Sequence, residues 1–319
     1  CSKVSPGCAN CYAEGMAARF SWEPEERTMR AGAFEGVINK DGKWNGKTVF
    51  KKDRLDQPLR WRKPRKVFVC SMGDLFHESV PREWISRIWD MMILCSQHTF
   101  QVLTKRPESM LKFVESEVRY HATSPAKNIW LGVTAENQEQ ADKRIPILLE
   151  TPAAVRFVSV EPMLGALDIV RFMGGCAYKC PCGYHDTENE MLFLGGSRYI
   201  CQKCNKETEH RPTLDWVICG GESGPLARPM HPDWARGLRD QCLETRTHFM
   251  FKQWGEWAPG LYVDCDDPDG RSVMAMPFGE LSGLDWTPGP RLKKAEMVRR
   301  IGRKKAGRLL DGKLWDQSP

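Results

Sequence analysis

Three cysteines, Cys1, Cys8 and Cys11, stand within the opening run CSKVSPGCANCYAE, and the next thiol is not met until Cys70. A structural zinc takes four ligands, and an ordinary four-iron cluster takes four cysteines. A triplet therefore leaves one coordination position for something else, and an open position is where a bound metal does chemistry instead of stapling a fold.

A second group of thiols has a different character. Cys180 with Cys182, and Cys201 with Cys204, form two close pairs separated by eighteen residues. The pattern is similar to a zinc ribbon, in which two knuckles complete a tetrahedral sulfur site. The first pair is one residue shorter than usual, and Cys176, His185 and His210 are competing ligands. Segments of about 40 residues rarely fold without a staple, which favours a structural zinc over unligated thiols. Lys179, Arg198, Lys203, Lys206 and Arg211, with Tyr178, Tyr184 and Tyr199, give this stretch a basic, aromatic surface that suits nucleic acid or is ordinary ribbon surface.

The elements that must position these residues show in the apolar runs. Val67 to Cys70, Phe100 to Leu103, Ile129 to Val133, Val155 to Val158, Trp216 to Cys219 and Phe249 to Phe251 are continuous enough for strands buried on both faces. Between them Trp84, Ile88 and Met92 recur at helical spacing, as do Ala141, Ile145 and Leu149, and Trp234 with Leu238. Val80-Pro81 and His231-Pro232-Asp233 punctuate two helix starts. Alternating βα units predict a parallel sheet, either doubly wound or rolled into a full or partial barrel. Between Phe172 and Thr213 the rhythm stops, and the second cysteine group reads as an insertion there.

Each run ends in polar residues: Gly73-Asp74, Thr104-Lys105-Arg106, Glu136-Asn137, Glu161-Pro162, Gly220-Gly221-Glu222-Ser223 and Lys252-Gln253-Trp254. In parallel α/β folds the carboxyl rim is where ligands bind, so these ends predict a shared polar pocket.

Composition bounds the class. With 319 residues, 41% hydrophobic and 28% charged, the chain reads as globular, and no apolar run reaches membrane-spanning length. Thirteen cysteines without a secretory signal read as metal ligands and buried thiols of a cytoplasmic protein. The chain opens on Cys1 and not on methionine, so upstream residues are expected. From Arg291 to Lys313 ten Lys or Arg face only Glu296 and Asp311, which reads as a solvated face or a contact to nucleic acid or nucleotide phosphate.

The triplet, the six βα-like units and the polar strand ends together resemble radical S-adenosylmethionine (radical SAM) proteins. The runs CSKVSPGCANCYAE, GDLFHESVP, LTKRPE, GVTAEN, SVEPMLG, GGESGP, ARPMHPDW and FKQWGEW resemble more closely a phage and prophage three-Cys-motif family without an assigned reaction. The spacing of six and then two residues departs from the superfamily's three and two, and Asn10 replaces its usual aromatic. The resemblance implies a partial (βα)6 parallel barrel over 1–171 and 214–290, with the zinc-ribbon-like module at 172–213 and a basic segment at 291–319. It implies a 4Fe-4S cluster on Cys1, Cys8 and Cys11, S-adenosylmethionine on the open iron, an electron donor, and a 5'-deoxyadenosyl radical that abstracts hydrogen from a nucleotide, nucleic acid or other phage-related substrate.

By strand-end position, Gly73, Asp74, Lys105, Glu136, Asn137, Glu161, Gly221 and Ser223 are the candidate cofactor contacts. Arg228, His231, Lys252, Gln253, Trp254 and Trp257 are the candidate substrate contacts, though two tryptophans near a strand end more often pack, and His77 is a candidate proton donor. Two other readings compete. One is a non-catalytic, metal-stabilised nucleic-acid-binding protein in which Cys70 or Cys265 completes a zinc site with the triplet. The other is a metal-dependent hydrolase on Asp74, Glu136, Glu161 and Glu222, which lacks the usual histidine ligands.

Overall fold

The computed structural model describes all residues except 24–27, 30–33, 35, 122–124, 175–177, 180–184, 187–190, 196–197, 202–206, 210–211, 260–271 and 276–295. Six parallel strands form one sheet: β1 (Lys66–Val69), β2 (Thr99–Thr104), β3 (Ile129–Thr134), β4 (Val155–Val160), β5 (Trp216–Gly220) and β6 (His248–Gln253). Every apolar run that reads as a strand is one. The strands lie side by side in chain order. A doubly wound sheet reverses direction at a switch point, so sequential order selects the curled half-barrel.

The longer helices among the described residues are α1 (Tyr12–Ser21), α2 (Arg82–Leu94), α3 (Pro107–His121), α4 (Gln138–Glu150) and α5 (Pro232–Glu244). Alternation along the strands divides the apolar residues into two cores. Leu131, Val133, Val158, Val217 and Phe249 join the main core with Trp89, Met110, Ile145 and Leu238 from the helices. Their neighbours Trp130, Phe157 and Trp216 point the other way and form a small aromatic cluster inside the curl, flanked by Leu103, Ile218 and Met250. Each fully buried side chain of this size contributes about 2 kcal/mol. Gly132 is part of that floor, because a Cβ there would press into the Phe157 ring.

The helix faces match their expected spacing with two one-residue shifts. On α2 the buried positions are Ile85, Trp89 and Met92, one residue round from Trp84 and Ile88. The cause is Phe50, whose ring stacks on Trp84 at 5.3 Å and gives that indole a separate partner. On α4, Leu148 is buried where Leu149 is only partly so. α5 begins as expected, with Pro232 in its first turn and His231 accepting the Asp233 N–H.

The chain between β4 and β5 closes at a neck where the Leu214 N–H donates to Phe172 O at 2.9 Å. Beyond it, Tyr178–Lys179 pairs with His185–Asp186, and Met191–Gly195, Arg198–Cys201 and Glu207–Glu209 form a three-stranded antiparallel sheet. Cys180, Cys182 and Cys204, with Cys176 and His210, lie outside the described residues. Only the backbone of Cys201 and His185 is placed.

Part of the basic C-terminal segment covers the sheet. Phe251 N–H donates to Trp315 O and Gln317 N–H to Phe249 O, so the tail runs along β6 and removes an exposed strand edge. Arg236 and Arg239 of α5 hold Asp311 at 2.9 and 2.6 Å. Arg291, Lys293 and Lys294 lie outside the described residues.

Candidate functional site

At the carboxyl rim the acids that follow the strands are matched by cations of the same chain. Asp74 pairs with Arg106 at 3.1 Å, Glu136 with Arg144 at 3.0 Å, Glu161 with Lys252 at 3.1 Å and Glu222 with Arg228 at 2.6 Å. Three of these pairs reach the cysteine loop.

Glu136, wholly buried beyond β3, accepts the Gly7 N–H at 2.9 Å while its other oxygen holds Arg144. Gly7 sits so close that a Cβ would lie 3.0 Å from the Glu136 carboxyl carbon. Burial opposes ionisation of Glu136, yet the nearby Ser5 hydroxyl, Arg144 and the Gly7 N–H outweigh it and hold the carboxyl below the usual range. Glu222, beyond β5, takes a two-pronged grip from Arg228 and accepts from Asn10 Nδ2 at 3.1 Å. The same guanidinium donates to Pro6 O at 3.0 Å. Arg106, beyond β2, spans Asp74, Glu78 and the Ser2 hydroxyl.

His77 completes this last junction. Its Nδ1 accepts the Ser79 N–H at 3.1 Å, so the proton resides on Nε2, which donates to Ser2 Oγ at 3.0 Å. Burial and the Arg106 charge lower its pKa, and the ring stays neutral. A protonated Nε2 cannot take the Ser2 proton, so the pair holds the loop and is not a nucleophile with its base. The expected proton donor thus has a positioning contact.

The thiols themselves remain available. Cys1, Cys8 and Cys11 are free and half-buried, whereas Cys95, Cys219 and Cys242 are core thiols. Burial pushes Cys242 up to about 12. Among the described residues no three His, Cys, Asp or Glu side chains converge on one point as a single-ion site requires.

The loop contacts residues that follow four of the strands. Tyr12, just after Cys11, donates to Ser71 O at 2.9 Å, and burial with the nearby Cys11 and Glu161 raises its pKa despite Lys252. Cys70 follows β1 there: the residue reaches the surface, while burial of its thiol and the nearby Asp74 charge push it up to about 11. The side chain of Lys105 makes no hydrogen bond or ion pair among the described residues and lies near enough to Glu136 to favour its charge.

Most of the expected contacts have partners within the chain. Asp74 accepts four hydrogen bonds, from Phe76 N, Thr104 Oγ1, Lys105 N and Arg106. Asn137 caps α4 by accepting the Gln140 N–H. Gln253 donates to Ser223 at 3.0 Å, and Gly221 is required because a Cβ would run into the Trp254 carbonyl. Trp254 is buried against Phe251 with its indole N–H on Leu309 O, and Trp257 donates to Ala227 O. Trp254 is thus a packed core side chain, while Trp257 is half-buried. Gly73 has open space where a Cβ would stand.

Sequence reasoning missed Arg144. Its signal was present, because it falls with Ala141, Ile145 and Leu148 on the buried face of α4, and a cation on an apolar face implies a buried anion. Arg106 and Asn10 carried no such signal.

No curated protein and no solved structure matches this chain. Residues 1–319 match the family described as "Protein of unknown function (DUF5131)", and the chain belongs to that family.

Proposed function

We propose that the protein is a radical SAM-type iron-sulfur enzyme in which Cys1, Cys8 and Cys11 hold a four-iron cluster. The observation that carries the reading is the seating of a loop with three free thiols on the carboxyl rim of a parallel half-barrel, fastened there by Glu136, the Glu222–Arg228 pair and Arg106. The residues fit the group: backbone and side chains other than the thiols fasten the loop to the rim, and the one thiol contact, from Cys1 Sγ to the adjacent Ser2 O at 3.7 Å, leaves the sulfurs open to iron. With S-adenosylmethionine bound, such a cluster supplies a 5'-deoxyadenosyl radical for hydrogen abstraction. The chain's own part is to hold the loop, to close the floor of the curl with Trp130, Phe157 and Trp216, and to offer Lys105 as an uncommitted cation. The resemblance favours a nucleotide or nucleic-acid substrate.

The test is anaerobic reconstitution with iron and sulfide, followed by dithionite and S-adenosylmethionine. A broad iron-sulfur absorption and formation of 5'-deoxyadenosine, both lost in Cys8→Ala, are expected. Stable zinc uptake without cleavage would sink the proposal.

A further inference from the structure

A basic surface lies near the amino ends of the strands, away from the cysteine loop. The segment Lys51 to Lys66, KKDRLDQPLRWRKPRK, carries eight Lys or Arg against Asp53 and Asp56, a net of +6 that equals the formal charge of the whole chain. All eight cations are exposed. The two acids are occupied by their neighbours, Asp53 by Arg54 at 3.3 Å and Asp56 by Arg60 at 2.8 Å. Lys51, Lys52, Arg62 and Lys63 have no ion pair among the described residues.

The segment is built, not merely basic. His98, almost wholly buried, accepts the Arg65 N–H on Nδ1 at 3.2 Å, so its Nε2 carries the proton and donates to Pro58 O at 3.0 Å. One imidazole thus ties the two ends of the turn together, and Thr99 N–H donates to Arg65 O to fix it to β2. Trp61 rests edge-on against His98 with ring centroids 5.4 Å apart, and the Arg65 guanidinium lies 4.8 Å from the indole centre. Beside it Trp61, Asp53, Arg54, Gln57 and Arg60 line an open depression of about 330 Å³.

Cations with an indole and a stacked guanidinium among them form the pattern that grips a phosphodiester backbone and stacks bases. We infer that the platform 51–66 is a nucleic-acid-binding surface, with the free cations on phosphates and Trp61 with Arg65 against bases. It stands on observations separate from the cysteine loop, and binding here requires no cluster.

The test is fluorescence anisotropy with the full chain and labelled single-stranded and duplex oligonucleotides over a salt series. Four phosphate contacts predict a slope of log K against log salt of about −3 for single strands and about −4 for duplex. Arg62→Glu with Lys63→Glu, both exposed, is expected to weaken binding at least roughly tenfold with an unchanged melting curve. Trp61→Ala is expected to weaken single-strand binding roughly tenfold and duplex binding less. Binding that ignores the charge reversal, no binding at low salt, or binding only to phosphatidylserine vesicles would each overturn the inference, the last in favour of a membrane surface.

Discussion

Replacing Glu136 by Gln separates the positioning reading from a ligand-binding one. The wild-type carboxylate serves two partners, the half-buried Gly7 N–H through Oε1 and the buried Arg144 through Oε2. An amide has one accepting end. If its oxygen meets Gly7, its NH2 faces a guanidinium that is only 3% exposed; if it turns, the loop loses its anchor. Removing one partner of a buried ion pair costs about 3–5 kcal/mol, and the retained shape of Gln places this case near 3. Urea unfolding of Glu136→Gln, Arg144→Met and the double variant measures the coupling: the double is expected to be more stable than the sum of the singles implies by about 2 kcal/mol. Alkylation of Cys8 is expected to speed up in Glu136→Gln, as the loop loosens. The sign with pH follows from the lowered pKa of Glu136. Its contribution is fully present above the ordinary glutamate range near pH ~4.3 and is lost as pH falls through the lower folded value, so the Gln variant should lose that part of the acid limb. A change below about 0.5 kcal/mol, or additive single effects, would refute the argument.

The other rim contacts give further expectations. Arg228→Lys keeps the charge but not the fork that joins Glu222 to Pro6 O, so a loss of about 1–2 kcal/mol by urea unfolding and faster Cys8 alkylation are expected. His77, with its pKa lowered by burial and Arg106, contributes stability above the ordinary histidine value near ~6.5 that is lost as pH falls through its folded value. NMR titration of the ring, with the melting temperature followed over the same range, checks it. Cys70, pushed up to about 11, should react slowly with iodoacetamide at neutral pH despite its exposure, its rate climbing into the alkaline range by peptide mass mapping. Gly132→Ala forces the Phe157 ring out of the aromatic floor, and a loss of about 1–3 kcal/mol in thermal unfolding is expected.

The strands were legible because burial on both faces leaves an unbroken apolar run, and β3, buried at every position from Ile129 to Thr134, is the clearest instance. Their order was not legible. The choice between barrel and doubly wound sheet depends on which strand lies beside which, and periodicity along one strand is silent about its neighbours. The one-residue shift on α2 has a similar origin: Trp84 has the right spacing for the core, but Phe50, far away in sequence, supplies another place to bury it. The tail was read by its charge, whereas Trp315 and the backbone near Gln317 determine where it lies.

The recurrence of an acid after nearly every strand was visible in the sequence, and it was read as a lining for a bound ligand. Charge balance supports a different division of labour. Four free carboxylates in one rim would repel one another and would each need a bound cation; matched with Arg106, Arg144, Lys252 and Arg228, they are neutral as a set before any ligand arrives. Three of the pairs then use their remaining donors and acceptors on the loop of Cys1, Cys8 and Cys11. A loop held by its own protein needs no metal to shape it, so under the proposed function metal binding would not be spent on ordering backbone, unlike in small metal-dependent folds. The ion pairs of the rim thus hold the loop in place, and among the described residues the Lys105 side chain has no such partner, which under the proposed function leaves it to meet what enters the curl.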